Sequence, residues 1–429
     1  MNMSKHVKKE NRRGSAEDYK PVLAKLAAAL KQAEASVEAD SDEFVDLTYN
    51  MEKLARKFLS QERTQQGAQY FKTAVTHLRQ FAQIKHDQEQ ELNLCYSAGQ
   101  TFALLGLVEE ATESYEQSLK LSKELHDSKS HARTLRQLGN LKLRQSKWKE
   151  AIACFELSYR ISQENGEPRD EAYALNSLAA AYFHTAAWRK METTCERTLS
   201  LAEKMNDDDL TACVCNNLGA LYNVQGQWDK ALATLQKSLL LFERLGDRRG
   251  LAETYNNMAT AYRDKEFWHE SGKCYAKGLE LAREASDVVV EAQVILNRVE
   301  LYLLMHDLDM AEKQCQIALR TFHGLEHKSG EADACRLLGV VYTRKENWGL
   351  AKKYLEEALQ LFSHYANTLG LAETHKSYAE FWHGKGSAKS ERKHLQKALE
   401  YYKRIKAQRE IKKLEKLLRE LQAADKFRN

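Results

Sequence analysis

Apolar and polar positions along this chain repeat in two registers at once. Within short windows, apolar side chains recur three or four apart, the spacing of one face of an α-helix. Over a longer distance the pattern returns to itself. One column, mostly of small residues, runs through Gly99, Gly139, Ala179, Gly219, Ala259, Val299, Gly339 and Ala379, each 40 residues after the last. Three positions later stands a ring at Phe102, Tyr182, Tyr222, Tyr262, Tyr302, Tyr342 and Trp382, with Lys142 the exception. Nine positions after the small residue comes Trp148, Trp188, Trp228, Trp268 or Trp348, with Val108 and Leu308 in two other units. Each unit therefore predicts a helical hairpin. A first helix carries the small residue and the ring, and a short connection leads to a second helix opening around the Trp. A fixed period of this size means a solenoid, in which each hairpin packs only on its neighbours.

The second helices repeat a motif of their own. Ala111, Ala151, Ala231, Ser271, Ala311 and Ala351 each precede by seven residues another small one: Ser118, Ser158, Ser238, Gly278, Ala318 and Ala358. Larger residues lie between, such as Tyr115, Phe155, Leu235, Tyr275 and Leu355. Small side chains let antiparallel helices approach, and large ones fill the remaining hollow. Two units depart from the motif, with Met191 and Glu391 in the place of the first alanine. Turn-forming residues such as Asn165-Gly166 and Gly246-Asp247 separate the units.

The flanks are less regular. Residues 1–14 are polar and basic and are expected to be disordered. Residues 15–40, with Pro21 in a first turn and Leu23, Leu26, Leu30 and Ala33 on one face, predict an N-terminal capping helix. A degenerate repeat spans 41–85, marked by Ala55, Phe58, Gly67, Phe71 and Ala74. Its offset of 44 to the next unit predicts a longer helix or loop near residues 80–90. In-phase repeats fill 90–402. Residues 391–424 read as one long helix, its first half closing the array and its second half, within a basic C-terminal helix at 403–429, free to project. The fold class is all-α, with about nine helix pairs between caps.

The order of small residue, ring, aromatic at the turn, alanine and second ring resembles the tetratricopeptide repeat over residues 43–402. The period is longer than the family's common form and the closing proline is missing. In length and in turns such as Leu245-Gly246-Asp247 the units are similar to those of Pins-class spindle-orientation adaptors and of bacterial regulators that sense ligands through such arrays. The resemblance implies a right-handed superhelix whose first helices line a concave groove for peptides or partner proteins.

Composition narrows the function further. The chain has two prolines, Pro21 and Pro168, as long helices require, and its 65 basic against 61 acidic residues are near balance. That balance argues against nucleic acid as a partner, although residues 389–428 hold 14 basic and 6 acidic side chains. No apolar run reaches the length of a membrane span, and no apolar stretch follows the basic N-terminus, so a cytoplasmic protein is expected. The eight cysteines lack metal-ligand spacing and read as reduced thiols in helix cores.

Nothing in the sequence calls for catalysis or a cofactor. The triad His306, Asp307 and Asp309 falls in a helix connection. Gly384-Lys385-Gly386 lacks the strand and the Lys-Ser/Thr pair of a phosphate loop. Asp207, Asp208 and Asp209 lack the glycine and glutamate of a calcium loop. The Trp series is expected to be packing.

The asparagines carry the candidate site. Asn176, Asn216 and Asn256 form one column at the repeat period, and Asn217, Asn257 and Asn297 form a second beside it. Asparagine is a mediocre helix former, so mid-helix recurrence needs a cause. It is either hydrogen bonding to a neighbouring repeat or a row of amides that holds the backbone of an extended ligand. Family resemblance supports the second, with the second column in the leading place. Arg133, Arg136 and Asn140, then Asn223, Arg263 and Arg336, are expected on the same face, with Tyr173 and Phe183. Glu253, Glu300, Asp333, Glu373 and Glu380 are expected along its later part. A protein or peptide ligand, acidic towards the early units and basic towards the late ones, would suit that distribution.

Overall fold

A computed structural model of the chain describes residues 64–428 and the side chains of 65–421. The expected disordered N-terminus, the capping helix at 15–40 and the opening of the degenerate repeat lie outside these residues. Everything described is helix and turn: α1 (Thr64–Ile84), α2 (Gln88–Leu104), α3 (Val108–Glu124), α4 (Ser128–Arg144), α5 (Trp148–Glu164), α6 (Pro168–His184), α7 (Trp188–Met205), α8 (Asp208–Val224), α9 (Trp228–Leu245), α10 (Arg248–Asp264), α11 (Trp268–Glu284), α12 (Val288–Leu304), α13 (Leu308–Gly324), α14 (Lys328–Arg344), α15 (Trp348–His364), α16 (Thr368–Gly384), α17 (Ala388–Arg404) and α18 (Gln408–Arg428). The described residues fall into two compact units, divided between Gln137 and Leu138.

The repeat is finer than the 40-residue sequence pattern. From Gln88 to Gln408 a new helix begins every 20 residues, so turns within and between hairpins are alike. Each turn hinges on one left-handed residue, from His86 and Gly106 to Gly386 and Lys406. At the end of α2 the Leu107 amide donates to Phe102 O at 2.9 Å and the Gly106 amide to Ala103 O at 3.3 Å. This double closure satisfies two carbonyls that a helix C-terminus leaves without partners. Most first helices then begin on a side-chain cap, such as Asp87, Asp207, Asp247, Asp287 and Asn367.

The small-residue column meets the large residues of the paired helix. A Cβ added at Gly99 would lie 2.5 Å from Tyr115, and one at Gly219 would lie 2.4 Å from Leu235. A second contact joins successive hairpins, where added Cβ atoms at Gly250, Gly330 and Gly370 would strike Phe242, Phe322 and Phe362. The helix that falls within the 44-residue offset, α1, is 21 residues long. The Trp column is uneven: Trp148 is buried, but Trp268 is 44% exposed beside an exposed Phe267.

One expected element is corrected. Residues 391–424 are two helices, because Ile405-Lys406-Ala407 forms the same turn as every other joint, with Lys406 at φ +57°. No glycine marks that turn. It forms because Ile405 is buried and the Ala407 amide reaches back to Tyr402 O at 3.0 Å.

Candidate ligand-binding cavity

In the second unit, successive first helices touch each other as well as their own partners, so their exposed faces converge. They surround a cavity of about 950 Å³. Its walls come chiefly from α8, α10, α12, α14, α16 and α18, with Phe183, His184 and Trp188 at one end.

The asparagine columns are joined to each other. Asn217 Nδ2 donates to Asn176 Oδ1 at 2.8 Å, Asn257 Nδ2 to Asn216 Oδ1 at 2.9 Å, and Asn297 Nδ2 to Asn256 Oδ1 at 3.1 Å. Each bond spans one repeat and one residue, so adjacent columns are what a paired stack requires. An amide has further donor and acceptor positions beyond the one used here. Asn256, Asn257 and Asn297 line the cavity, while Asn176, Asn216 and Asn217 lie outside its walls. Asn223, 5% exposed, lines it too. Its Nδ2 donates to Asn257 O at 2.8 Å, and its Oδ1 is buried without a hydrogen-bond partner.

Charged side chains of alternating sign continue along the wall. Arg263 Nη1 is 2.5 Å from Glu300, and Arg336 Nη2 reaches the same carboxylate at 3.3 Å. Lys376 lies between Glu373 at 3.8 Å and Glu410 at 3.5 Å, and the Tyr402 hydroxyl donates to Glu373. Burial pushes the Glu300 carboxyl up, and the two guanidiniums more than reverse it, so it titrates below its ordinary value. Asp333 goes the other way. Burial, with Glu300 and Glu373 adding to it, raises it to about 6 against the pull of Arg336. His184 and His327 in the same wall are pushed down to about 4 by burial, so both are neutral near pH 7.

Several residues expected on this face are not among those lining the cavity. Arg133 is exposed and Arg136 half-buried in the first unit, and half-buried Asn140 is outside the cavity walls. Glu253 pairs with Arg249 on its own helix, and the Tyr173 hydroxyl donates to Asp209. Arg263 and Arg336 are in place but already engaged. Asp207, Asp208 and Asp209 are likewise used locally. Asp207 caps α8 and pairs with Arg169, and Asp208 pairs with Arg244. Among the described residues no group of three or more His, Cys, Asp or Glu is placed to hold a metal.

The basic C-terminal helix was expected to project, but α18 supplies Arg409, Glu410 and Lys413 to the wall. This helix docks across the unit. The Arg409 guanidinium lies 4.7 Å from the Trp228 ring, and its Cδ would be 3.2 Å from a Cβ at Gly226. Ile405, Ile411, Leu414 and Leu418 share a buried cluster with Ala186, in the turn after α6. Contacts between residues so distant in the chain leave no local signal.

A model of the tetratricopeptide repeat matches residues 92–164, 170–239 and 210–284. The hairpin geometry described above continues beyond those limits in the same register. Residues 92–164 and 170–284 are tetratricopeptide repeats. Several solved structures resemble the chain at low identity. The Rap conjugation gene regulator of plasmid pLS20, in complex with a Phr peptide, has 12% identity and a TM-score of 0.57, covering 84% of this chain and 96% of its own. NprR in complex with its cognate peptide NprX has 17% identity and a TM-score of 0.55, covering 81% and 97%. Aspartyl phosphate phosphatase F from Bacillus subtilis has 12% identity and a TM-score of 0.52, covering 81% and 92%. Comparison with curated proteins found no match. The likeness to those structures is one of fold. No helix among the described residues is long and apolar enough to cross a membrane.

Proposed function

We propose that this chain is a non-enzymatic interaction adaptor whose second unit holds an extended segment of a protein or peptide in the cavity along its first helices. The carrying observation is the cavity itself: successive repeats present amides and charges at regular intervals to one space, as an extended chain of regular pitch requires. Two of the similar structures contain bound peptides. At their identities the fold is what is shared, so the reading rests on the cavity. Neutral histidines and thiols such as Cys195 and Cys335, pushed up to about 12 by burial, suit binding better than nucleophilic chemistry. Free cysteines throughout suit a cytoplasmic protein, and the internal pairing of cavity charges suits neither nucleic acid nor a membrane surface.

One observation favours a second reading, a ligand-responsive regulator acting on an effector. α18 lines the cavity with Arg409 and Glu410 and also docks on the turns after α6 and α8. A ligand that displaced either side chain would alter that docking.

The test adds bulk to the cavity and removes no described hydrogen bond. Ala220 is a half-buried wall residue. Immobilised parent protein and its Ala220→Trp variant are compared for the proteins they retain from lysate, with retained partners mapped to a binding segment. The proposal requires a partner that the parent holds through a short linear segment and the folded variant loses. A partner retained equally by both defeats it.

A further inference from the structure

We infer that the cavity selects a segment bearing a positive charge, an arginine, a lysine or a free amino terminus, and seats that charge against Asp333. The inference rests on the peptide-binding reading and names the chemistry of its ligand. It follows from what remains after the wall has paired with itself. Arg263 is held by Asp264 at 2.8 Å as well as by Glu300, and Lys413 lies 3.4 Å from Glu410. Arg344 donates to Leu303 O at 2.6 Å. An anion entering here would have to detach these groups from their present partners.

The acceptors are less fully used. Asp333 is 4.0 Å from Arg336 Nε, beyond hydrogen-bond length, and its side chain keeps 43% of its surface open although the surrounding walls crowd it and strip its solvent. Arg336 Nε is also buried without an acceptor. A carboxylate drawn between Arg336 and a ligand cation would answer both. Asn223 adds an independent sign: its side chain is more than nine-tenths buried, and its Oδ1 is unsatisfied within the cavity wall. Buried acceptors are rarely left so, and a ligand N–H group is the partner this position accepts.

Burial holds Asp333 partly protonated on the acid side of neutrality, with Glu300 from α12 and Glu373 from α16 reinforcing this and Arg336 opposing it. A bound cation stabilises the ionised form, so binding takes up the charge and weakens as pH falls below about 6.

The probes are three pools of labelled hexapeptides with blocked ends, random in apolar residues and carrying one central Arg, Gln or Glu. Binding to the full chain is read by fluorescence anisotropy. The Arg pool should bind about tenfold tighter than the Glu pool, the scale of one charge-assisted contact. In Asp333→Asn, the Arg pool should fall to the level of the Gln pool, and the parent's preference should fade at pH 5. Equal binding of the Arg and Glu pools, or an Arg preference that survives Asp333→Asn, overturns the inference. Ala220→Trp separates the two readings. If it abolishes binding of every pool while no Arg preference exists, the groove stands and only the charge assignment falls. If pools bind equally to parent and Ala220→Trp, or none binds to the parent, both fall.

Discussion

Asn257 on α10 is fixed twice by the preceding first helix, α8. Its Nδ2 donates to Asn216 Oδ1, and its own carbonyl accepts from Asn223 Nδ2. Donors and acceptors sit on α8 and α10, so these amides set the register of two repeats, and Asn223 and Asn257 also line the cavity. Each such bond contributes about 1 kcal/mol net, so the stack orients the repeats more than it stabilises them. Asp333 shows the opposite residue-scale logic. Its carboxyl titrates at about 6 when folded, above the ordinary 3.8. A group whose folded value is raised binds its proton more tightly when folded, so ionising it costs stability above that value. The cost grows between pH 4 and pH 6 and vanishes below. Asp333→Asn should therefore raise the Tm at pH 7.5 and leave it unchanged at pH 4. A variant no more stable than the parent at pH 7.5 would show that the carboxylate is well compensated in the free protein.

At the scale of one helix and its turn, much was legible and the rest was hidden for a physical reason. Gly219, Tyr222 and Trp228 advertise their roles, because close approach and ring packing restrict residue type. The 20-residue rhythm of left-handed turns did not show, since the hinge residue is Glu266 in one turn, Ala366 in another and Lys406 in the last. A non-glycine residue there costs about 1 kcal/mol, which flanking buried side chains such as Leu325, beside Glu326, and Ile405, beside Lys406, offset. The asparagine columns were visible, but whether they faced a ligand or each other depends on the pitch between repeats, which no local pattern encodes. Two glycines four apart separate the turn from the packing. Gly246 has φ +69° and open space around it, whereas Gly250 lies against Phe242 at 2.5 Å. Gly246→Ala should cost about 1 kcal/mol by denaturant titration, and Gly246→Asn less, because Asn206 already adopts this conformation. Gly250→Ala should cost about 1–3 kcal/mol, and Phe242→Leu in the same chain should recover part of it. If Phe242→Leu recovered Gly246→Ala as well, turn strain and inter-repeat packing would not be separate quantities.

On the scale of the second unit, the element that decides its behaviour is the last one. A solenoid lets each hairpin depend only on its neighbours, yet α18 binds residues in the turns after α6 and α8, several repeats earlier. Its apolar residues Ile411, Leu414 and Leu418 are buried, Arg409 covers the Trp228 ring, and Lys376–Glu410 links it to α16. Deleting residues 408–429 would thus expose an apolar surface on α16 and α17 and release the turns at Ala186 and Gly226. The two effects are distinguishable. Loss of an end cap alone would loosen the neighbouring α16 and α17, whereas loss of a closing contact would also speed amide exchange in the turns 185–188 and 225–228. The truncated chain should show both, with a lower Tm and a changed Trp228 emission, and Arg409→Ala should show the exchange change at 225–228 with little loss of Tm. Protection of those turns that survives truncation would mean the repeats of this unit hold their pitch without their last helix.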